Sequence, residues 1–171
     1  DVQTTVLEYT YPEKVNLKGY TPVYKVDPDQ VKKAAAALLE AQRPLLCAGG
    51  GVITSNAEPE LKTLAELTHT PVATTLMGIG AFPSSHPLSL GMLGGDHGAY
   101  AAKRAVEEAD LLLVLGARMA DRSTGNLKKF ARDARIVHID IDPAEIGKNI
   151  GTHISIVGDV KHVVTDLLVE I

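Results

Sequence analysis

Pro44-Leu-Leu-Cys-Ala-Gly-Gly-Gly51, closely followed by Ser55-Asn-Ala-Glu58, is the most informative part of this 171-residue sequence. Its first five residues form a short apolar run typical of a buried strand, and three glycines then interrupt that run. Ser55 to Glu58 has the spacing of a capping box, which opens a helix. An apolar stripe of helical period follows at Leu61, Leu64, Ala65 and Thr68. We therefore predict a strand, a glycine loop and a helix in succession.

Similar apolar runs recur along the chain and alternate with helical patterns. The five further runs are Pro71–Leu76, Leu88–Met92, Leu111–Leu115, Ile136–Ile139 and Ile154–Val157. The predicted helices include Ala99–Ala109 and a closing helix that carries Val160, Val163, Val164, Leu167, Leu168 and Ile171. Continuously apolar strands that alternate with helices indicate a parallel sheet covered on both faces. We predict an α/β, Rossmann-like doubly wound fold with about six mainly parallel strands.

The pattern of the chain changes at Asp27. Asp27 to Gln30 supplies a helix N-cap, a proline at the first helical position and a capping-box partner. One apolar stripe follows, made of Val31, Ala34, Ala35, Leu38 and Leu39. Residues 1–26 show no regular period and hold four of the five tyrosines. We therefore expect an interdomain connector over 1–26 and one domain over 27–171, cut from a longer protein because Asp1 is not a start methionine.

Composition argues against several classes of protein. A net charge of −4 without a long Lys or Arg run disfavours nucleic-acid binding, and no apolar stretch is long enough for a membrane span. The single cysteine, Cys47, allows neither a disulfide framework nor a CxxC metal pair. Its apolar surroundings indicate a buried thiol in a reducing compartment, which we take as cytoplasmic. The histidine spacing likewise predicts no metal site.

Small and charged residues follow the predicted strands, where ligands bind in sheets of this kind. The amides of Gly49–Gly51 suit an anion, although strand–helix turns also need glycine in any α/β protein. The dinucleotide pattern GxGxxG is absent here. Arg118 suits either bidentate contact with a phosphate or a salt bridge with Asp121 or another acid.

Acidic residues follow a later strand and leave two interpretations open. Asp140 and Asp142 alternate on one strand face with His138, and either acid could accept hydrogen bonds from ribose hydroxyls. Asp142-Pro143 is also typical of a helix cap. His97 precedes a helix and is either a ligand contact or an ordinary loop residue. We assign no catalytic residue, because no nucleophile–base constellation can be assembled.

An ordered set of motifs closely resembles the central domain of acetohydroxyacid (acetolactate) synthases. The motifs are Ala48-Gly-Gly-Gly51, Pro71-Val-Ala-Thr-Thr-Leu-Met-Gly78, Leu90-Gly-Met-Leu-Gly94, His97-Gly98, Asp110-Leu-Leu-Leu-Val-Leu-Gly-Ala-Arg118 and Ile136-Val-His-Ile-Asp-Ile-Asp-Pro-Ala-Glu-Ile-Gly-Lys148. The resemblance runs from about Asp27 to the end. Each motif alone is weakly specific, whereas their order is highly specific.

The resemblance implies a thiamine-diphosphate and magnesium enzyme that condenses pyruvate with pyruvate or 2-oxobutyrate in branched-chain amino-acid biosynthesis. Its central domain would hold FAD, which takes no redox part in the main reaction, while thiamine diphosphate and Mg²⁺ bind in domains absent here. The implied partners are those two other domains, further copies of the enzyme and a regulatory subunit. We expect the isolated chain to be inactive.

The same resemblance implies which residues would contact FAD. The pyrophosphate and ribityl chain would meet Gly50, Gly116, Ala117 and Arg118. The adenosine would meet Asp140, Ile141, Asp159 and Val160. The flavin side would be lined by Thr75, Leu76, Met77, Leu93, Gly94 and His97.

Two departures from the family pattern keep other functions open. Family members usually read Arg-Phe-Asp-Asp-Arg where this chain has Arg118-Met-Ala-Asp-Arg122, so an acid is absent at Ala120. Gly95-Asp96 stands where the family commonly has one methionine. The alternatives are a flavin-free scaffold of a thiamine-diphosphate enzyme, an adenine-nucleotide-binding domain and, less favoured, an NAD-dependent deacylase.

Overall fold

A six-stranded, entirely parallel sheet forms the centre of the molecule. The computed structural model describes residues 4–14, 26–95 and 97–171. The strands are β1 Pro44–Ala48, β2 Val72–Thr74, β3 Ser89–Met92, β4 Leu111–Leu115, β5 Arg135–Asp140 and β6 Ile154–Val157. Their order across the sheet is β3-β2-β1-β4-β5-β6. The predicted six-stranded α/β fold is therefore confirmed.

Helices cover both faces of the sheet, as the doubly wound prediction requires. They are α1 Pro28–Glu40, α2 Gly50–Thr54, α3 Glu58–Thr68, α4 Tyr100–Glu108, α5 Asp121–Thr124 and α6 Val160–Glu170. The core on one face joins the sheet to α1, α3 and α6. On the other face, α4 and residues 117–134 supply the buried side chains. In the described part of the chain, no helix combines the length and the apolar character needed to cross a membrane.

Helix α1 begins where the sequence predicted, but the face that it buries is rotated relative to the predicted apolar stripe. The Asp27 carboxylate accepts a hydrogen bond from the Asp29 amide at 3.0 Å. Four residues of the predicted stripe are buried, whereas Leu39 is 60% exposed, so its assignment to the core was wrong. Ala37 is buried in its place because this face packs closely against α6 and β6, where a small side chain fits.

The helix predicted to open at Ser55 opens later. The glycines after β1 start a short helix of their own, α2, and Ser55 lies at its carboxyl end. The Ser55 hydroxyl donates to the Gly51 carbonyl at 2.8 Å and therefore caps nothing downstream. Helix α3 follows Ala57, which makes no side-chain cap, and buries Leu61, Leu64 and Ala65. The capping-box interpretation was wrong because the chain was already helical at that point.

Strand β2 is shorter than the apolar run that predicted it. It ends at Thr74, and the Thr75 amide donates to the Ala48 carbonyl at 2.9 Å. The chain then makes a 3₁₀ turn over Leu76–Gly78. The end of the apolar run therefore leaves the sheet and lies at its carboxyl edge.

Cys47 is fully buried in β1, in agreement with the prediction of a buried thiol. Burial raises the pKa of the Cys47 thiol to about 12, because the thiolate would be desolvated there. The thiol is therefore a packing group of the sheet rather than a nucleophile.

The segment before α1 is described only over residues 4–14 and residue 26, and no helix or strand is assigned there. Tyr9 and Tyr11 pack edge to face with ring centroids 5.1 Å apart, and both are exposed. Val6 and Leu7 are exposed as well. The rest of the predicted connector lies outside the described residues, so its role stays a prediction.

Candidate functional site

The strand order places β1 and β4 side by side at the middle of the sheet. From β1 the chain proceeds to β2 on one side, and from β4 it proceeds to β5 on the other side. The connections after these two strands therefore diverge and leave a crevice at their carboxyl ends. Open α/β sheets bind ligands at this switch point. Gly49–Gly51 and Gly116–Arg118 are the residues that border it.

The backbones that leave β1 and β4 touch each other. The Gly51 amide donates to the Gly116 carbonyl at 2.9 Å, and the Gly49 amide donates to the Leu115 carbonyl at 2.9 Å. A Cβ on Gly51 would lie 2.6 Å from the Gly116 Cα. Gly116 also has a φ of +56°, a conformation that side chains disfavour. The glycines are therefore needed for this approach whether or not a ligand binds.

The amino terminus of α6 completes one side of the crevice. A Cβ on Gly116 would lie 2.9 Å from Cγ2 of Val160, the first residue of α6. The Gly158 amide donates to the Asp140 carbonyl at 3.0 Å, which ties the end of β6 to the end of β5. The residues predicted for the pyrophosphate and for the adenosine are thus brought to one edge.

The turn after β2 forms the other side of the crevice. A Cβ on Gly50 would lie 3.2 Å from the Met77 Cβ. Leu76 and Met77 are 66% and 73% exposed, although the neighbouring Thr75 is buried. Exposed apolar side chains beside a glycine-lined crevice suit the face of a ring system.

Four backbone amides at this edge donate to no acceptor among the described residues. They belong to Gly50, Ala117, Arg118 and Val160. Gly50 and Val160 are first residues of helices, whose amides have no partner within the helix. Ala117 and Arg118 follow the last residue of β4 and lie outside any ladder. The edge therefore presents donors of the kind that phosphate oxygens accept.

Arg118 is exposed, and no carboxylate among the described residues lies within ion-pair distance of it. The Asp121 carboxylate instead accepts the Arg122 amide at 2.9 Å. The salt bridge between Arg118 and Asp121, one of the two interpretations of the sequence, is therefore not formed. The guanidinium at the end of β4 therefore has no ion-pair partner among residues 4–14, 26–95 and 97–171.

The three acidic residues near the adenosine side have different roles. Asp140 is buried at the end of β5, and its carboxylate accepts the Asp142 amide at 3.0 Å. Asp142 lies beyond the strand and accepts the Ala144 amide at 2.9 Å, so it caps a turn rather than a helix. Asp159 caps α6 by accepting the Lys161 amide at 2.9 Å. The sequence did not indicate this structural role of Asp159. Ile141 is exposed beside these acids.

Leu93, Gly94 and His97 lie at the end of β3. The Leu93 amide donates to the Thr74 carbonyl at 2.7 Å, and the His97 amide donates to the Gly94 carbonyl at 2.8 Å. The His97 side chain is exposed, and Asp96 of the lengthened loop lies outside the described residues. A cavity of about 280 Å³ extends from Leu93 and Gly94 between α4 and residues 123–130. It borders the predicted flavin side but does not reach Arg118.

His138 supports the backbone next to Arg118, whereas the sequence indicated only that it shares a strand face with Asp140. Its ring is buried in β5, and Nε2 lies 3.0 Å from the Ala117 carbonyl, to which it donates. Burial lowers the pKa of His138, although the bond to Ala117 and the charge of Asp140 oppose this effect. The imidazole is therefore neutral at pH 7 and fixed in one tautomer. The position of this histidine in an apolar strand, two residues before Asp140, was the sequence feature that could have indicated its supporting role.

The sheet order and the glycine contacts define a Rossmann-like α/β domain, whose loops after β1 and β4 meet at the switch point where such sheets bind ligands. A sequence profile described as "Thiamine pyrophosphate enzyme, central domain" matches residues 31–167. The chain belongs to this family of central domains. Its fold and its family therefore agree with the resemblance found in the motifs.

The chain is similar to the large subunits of acetolactate synthases. It is 53% identical over 168 residues to the "Probable acetolactate synthase large subunit" of Methanocaldococcus jannaschii, with 98% of this chain and 28% of that protein covered. It is 48% identical to the "Acetolactate synthase large subunit" of Buchnera aphidicola subsp. Schlechtendalia chinensis, with 95% of this chain and 28% of that protein covered. The chain thus spans less than a third of these relatives. The matched family and these relatives favour a thiamine-diphosphate enzyme over the deacylase alternative.

Proposed function

We propose that this chain is the FAD-holding central domain of an acetolactate synthase. The observation that carries the proposal is that Arg118 shares one sheet edge with the amides of Gly50, Ala117 and Val160, and that the described residues offer neither its guanidinium nor these amides a partner. An extended molecule with a central pyrophosphate satisfies such an arrangement, since its oxygens accept from amides and from a guanidinium. Among such molecules we propose FAD, because it is the one that the resemblance of the motifs to acetohydroxyacid synthases implies.

The proposed contacts follow the edge of the sheet. Gly50, Gly116, Ala117 and Arg118 would hold the pyrophosphate and the ribityl chain. Asp140, Ile141, Asp159 and Val160 would surround the adenosine, with the carboxylate of Asp140 as the acceptor for ribose hydroxyls. The flavin would be lined by Thr75, Leu76, Met77, Leu93, Gly94 and His97. Of these, Leu76 and Met77 offer exposed apolar side chains to a ring.

The whole protein would use thiamine diphosphate and Mg²⁺ held by its other domains. It would join a two-carbon unit from pyruvate to pyruvate or 2-oxobutyrate, in the cytoplasm, on the branched-chain amino-acid pathway. Residues 1–26 would connect this domain to its neighbour. Further copies of the enzyme and a regulatory subunit are the proposed partners. In this arrangement the present chain binds and positions FAD, and its own residues move no proton.

Arg118→Ala tests the proposal in the full-length protein that contains this chain. We expect FAD binding to weaken by about 1.5–3 kcal/mol, because a hydrogen bond to a charged group is lost. Equilibrium dialysis with FAD provides the measurement. Arg132→Ala is the matched control, since Arg132 is exposed and lies in the segment that precedes β5, at the opposite edge. A colourless, fully active protein that gains nothing from added FAD would rule out the flavin function.

Ala120 supports a second candidate function, a domain that binds an adenine nucleotide without a flavin. Ala120 directly precedes α5, and no side chain caps that helix where the family usually has an acid. The same dialysis with ADP distinguishes the two functions. Binding of ADP with an affinity equal to that of FAD would favour the second candidate, because the flavin would then contribute nothing.

A further inference from the structure

Four consecutive backbone carbonyls after β4 are each held by a different donor. The Gly116 carbonyl accepts from the Gly51 amide at 2.9 Å, and the Arg118 carbonyl accepts from the Ala120 amide at 2.8 Å. The Ala117 carbonyl accepts from His138 Nε2 at 3.0 Å. The Met119 carbonyl accepts from Asn149 Nδ2 at 3.0 Å. The segment 116–119 is thus fixed on both sides of Arg118.

The two side-chain donors come from two other parts of the chain. His138 is 1% exposed and lies in the middle of β5, between β4 and β6. Asn149 belongs to the irregular segment between β5 and β6, and its neighbour Ile150 packs against the core that contains Ala117 and Met119. Both donors therefore restrict the peptide groups next to Arg118 without contacting its side chain.

Preorganisation is the physical reason to expect an effect on binding. Ordering a flexible loop has an entropic cost, which a ligand must offset when it binds a loose segment. A segment whose carbonyls are already bonded holds the backbone of Arg118, from which its guanidinium side chain extends, in one arrangement before any ligand arrives. The conformational entropy of this segment is then lost when the protein folds, and not when the ligand binds.

We propose that His138 and Asn149 are positioning residues that preset Arg118 for a phosphate group. This inference rests on the proposed function, because FAD supplies that phosphate. The two residues act through the carbonyls of Ala117 and Met119 and touch no cofactor atom themselves. Their effect on FAD affinity therefore depends on the presence of the Arg118 side chain.

A double-mutant cycle in the full-length protein tests this dependence. We expect Asn149→Ala to raise the dissociation constant of FAD by roughly five- to tenfold, the size of coupling usual for residues in one network. In an Arg118→Ala background, the same substitution should raise it less than about twofold. Equal losses in both backgrounds would overturn the positioning role, because a general loss of structure does not depend on Arg118.

The His138 variants provide a second, conservative comparison. His138→Gln places an amide donor near the position of Nε2, whereas His138→Leu removes it. We expect the glutamine variant to keep nearly the original FAD affinity and the leucine variant to lose it, with thermal unfolding recorded for both. Equal affinities in two folded variants would contradict the role of His138. Should His138→Leu fail to fold, a glutamine variant with fully lost affinity would contradict it equally. Absence of FAD binding by the unsubstituted protein would instead refute the proposed function.

Discussion

At the scale of single residues, Gly51 tests whether the close approach of the two central loops is needed for the fold. We expect Gly51→Ala to destabilise the protein by about 1–3 kcal/mol, the usual cost of overpacking, because the new Cβ would lie 2.6 Å from the Gly116 Cα. Urea unfolding followed by circular dichroism measures the change.

Gly151→Ala is the matched control for that substitution. A Cβ on Gly151 would meet no atom within 4 Å, and its φ lies outside the left-handed region. We expect a change of less than about 0.5 kcal/mol, as for other surface substitutions. Similar losses at Gly51 and Gly151 would show that the contact between the β1 and β4 loops is not tight in solution.

At the scale of elements, Leu38 and Leu39 test the rotation of α1. The side chain of Leu38 is buried, whereas that of Leu39 points away from the core. We expect Leu38→Ala to cost about 2–5 kcal/mol, as large-to-small core substitutions do. Leu39→Ala should change stability by less than about 0.5 kcal/mol. Equal losses of unfolding free energy in the two variants would mean that Leu39 is buried like Leu38, as the predicted stripe has it, and that Ala37 is not buried in its place.

These elements show what the sequence could and could not predict. The strands were predictable because buried parallel strands are continuously apolar, and β1 and β4 match their runs residue for residue. The error at Ser55 arose because a capping pattern is local, whereas helix α2 begins at glycines that the β4 loop holds in place. The rotation of α1 depends on its tertiary neighbours, which periodicity alone does not contain.

The meeting of the loops that carry the candidate site residues was predictable in the same way. The residues proposed for FAD follow the ends of strands, and the parallel topology brings strand ends to one edge. The bonds from His138 and Asn149 to the segment around Arg118 were not predictable, since they join residues 21 and 30 positions apart in the chain. Sequence patterns indicated which loops meet, and the structure adds which groups fix them.

At the scale of the whole molecule, His138 links the stability of the sheet to pH. Burial lowers its pKa below the ordinary value of 6.5, while Ala117, Asp140 and Glu145 partly oppose the shift. As the pH falls below 6.5, the unfolded chain binds a proton at this histidine and the folded protein resists doing so. The contribution of His138 to stability is therefore complete above that pH and is lost as the pH falls towards the folded-state pKa.

The unfolding free energy should thus decrease between about pH 7.5 and about pH 5.5, and His138→Gln should show a smaller decrease because glutamine does not titrate. Urea midpoints of both proteins at the two pH values measure the difference. The comparison removes the contributions of carboxylates and of the other histidines, which both proteins share. A decrease of equal size in the two proteins would mean that His138 titrates normally, which would require water to reach the ring between β5 and the residues that cover it.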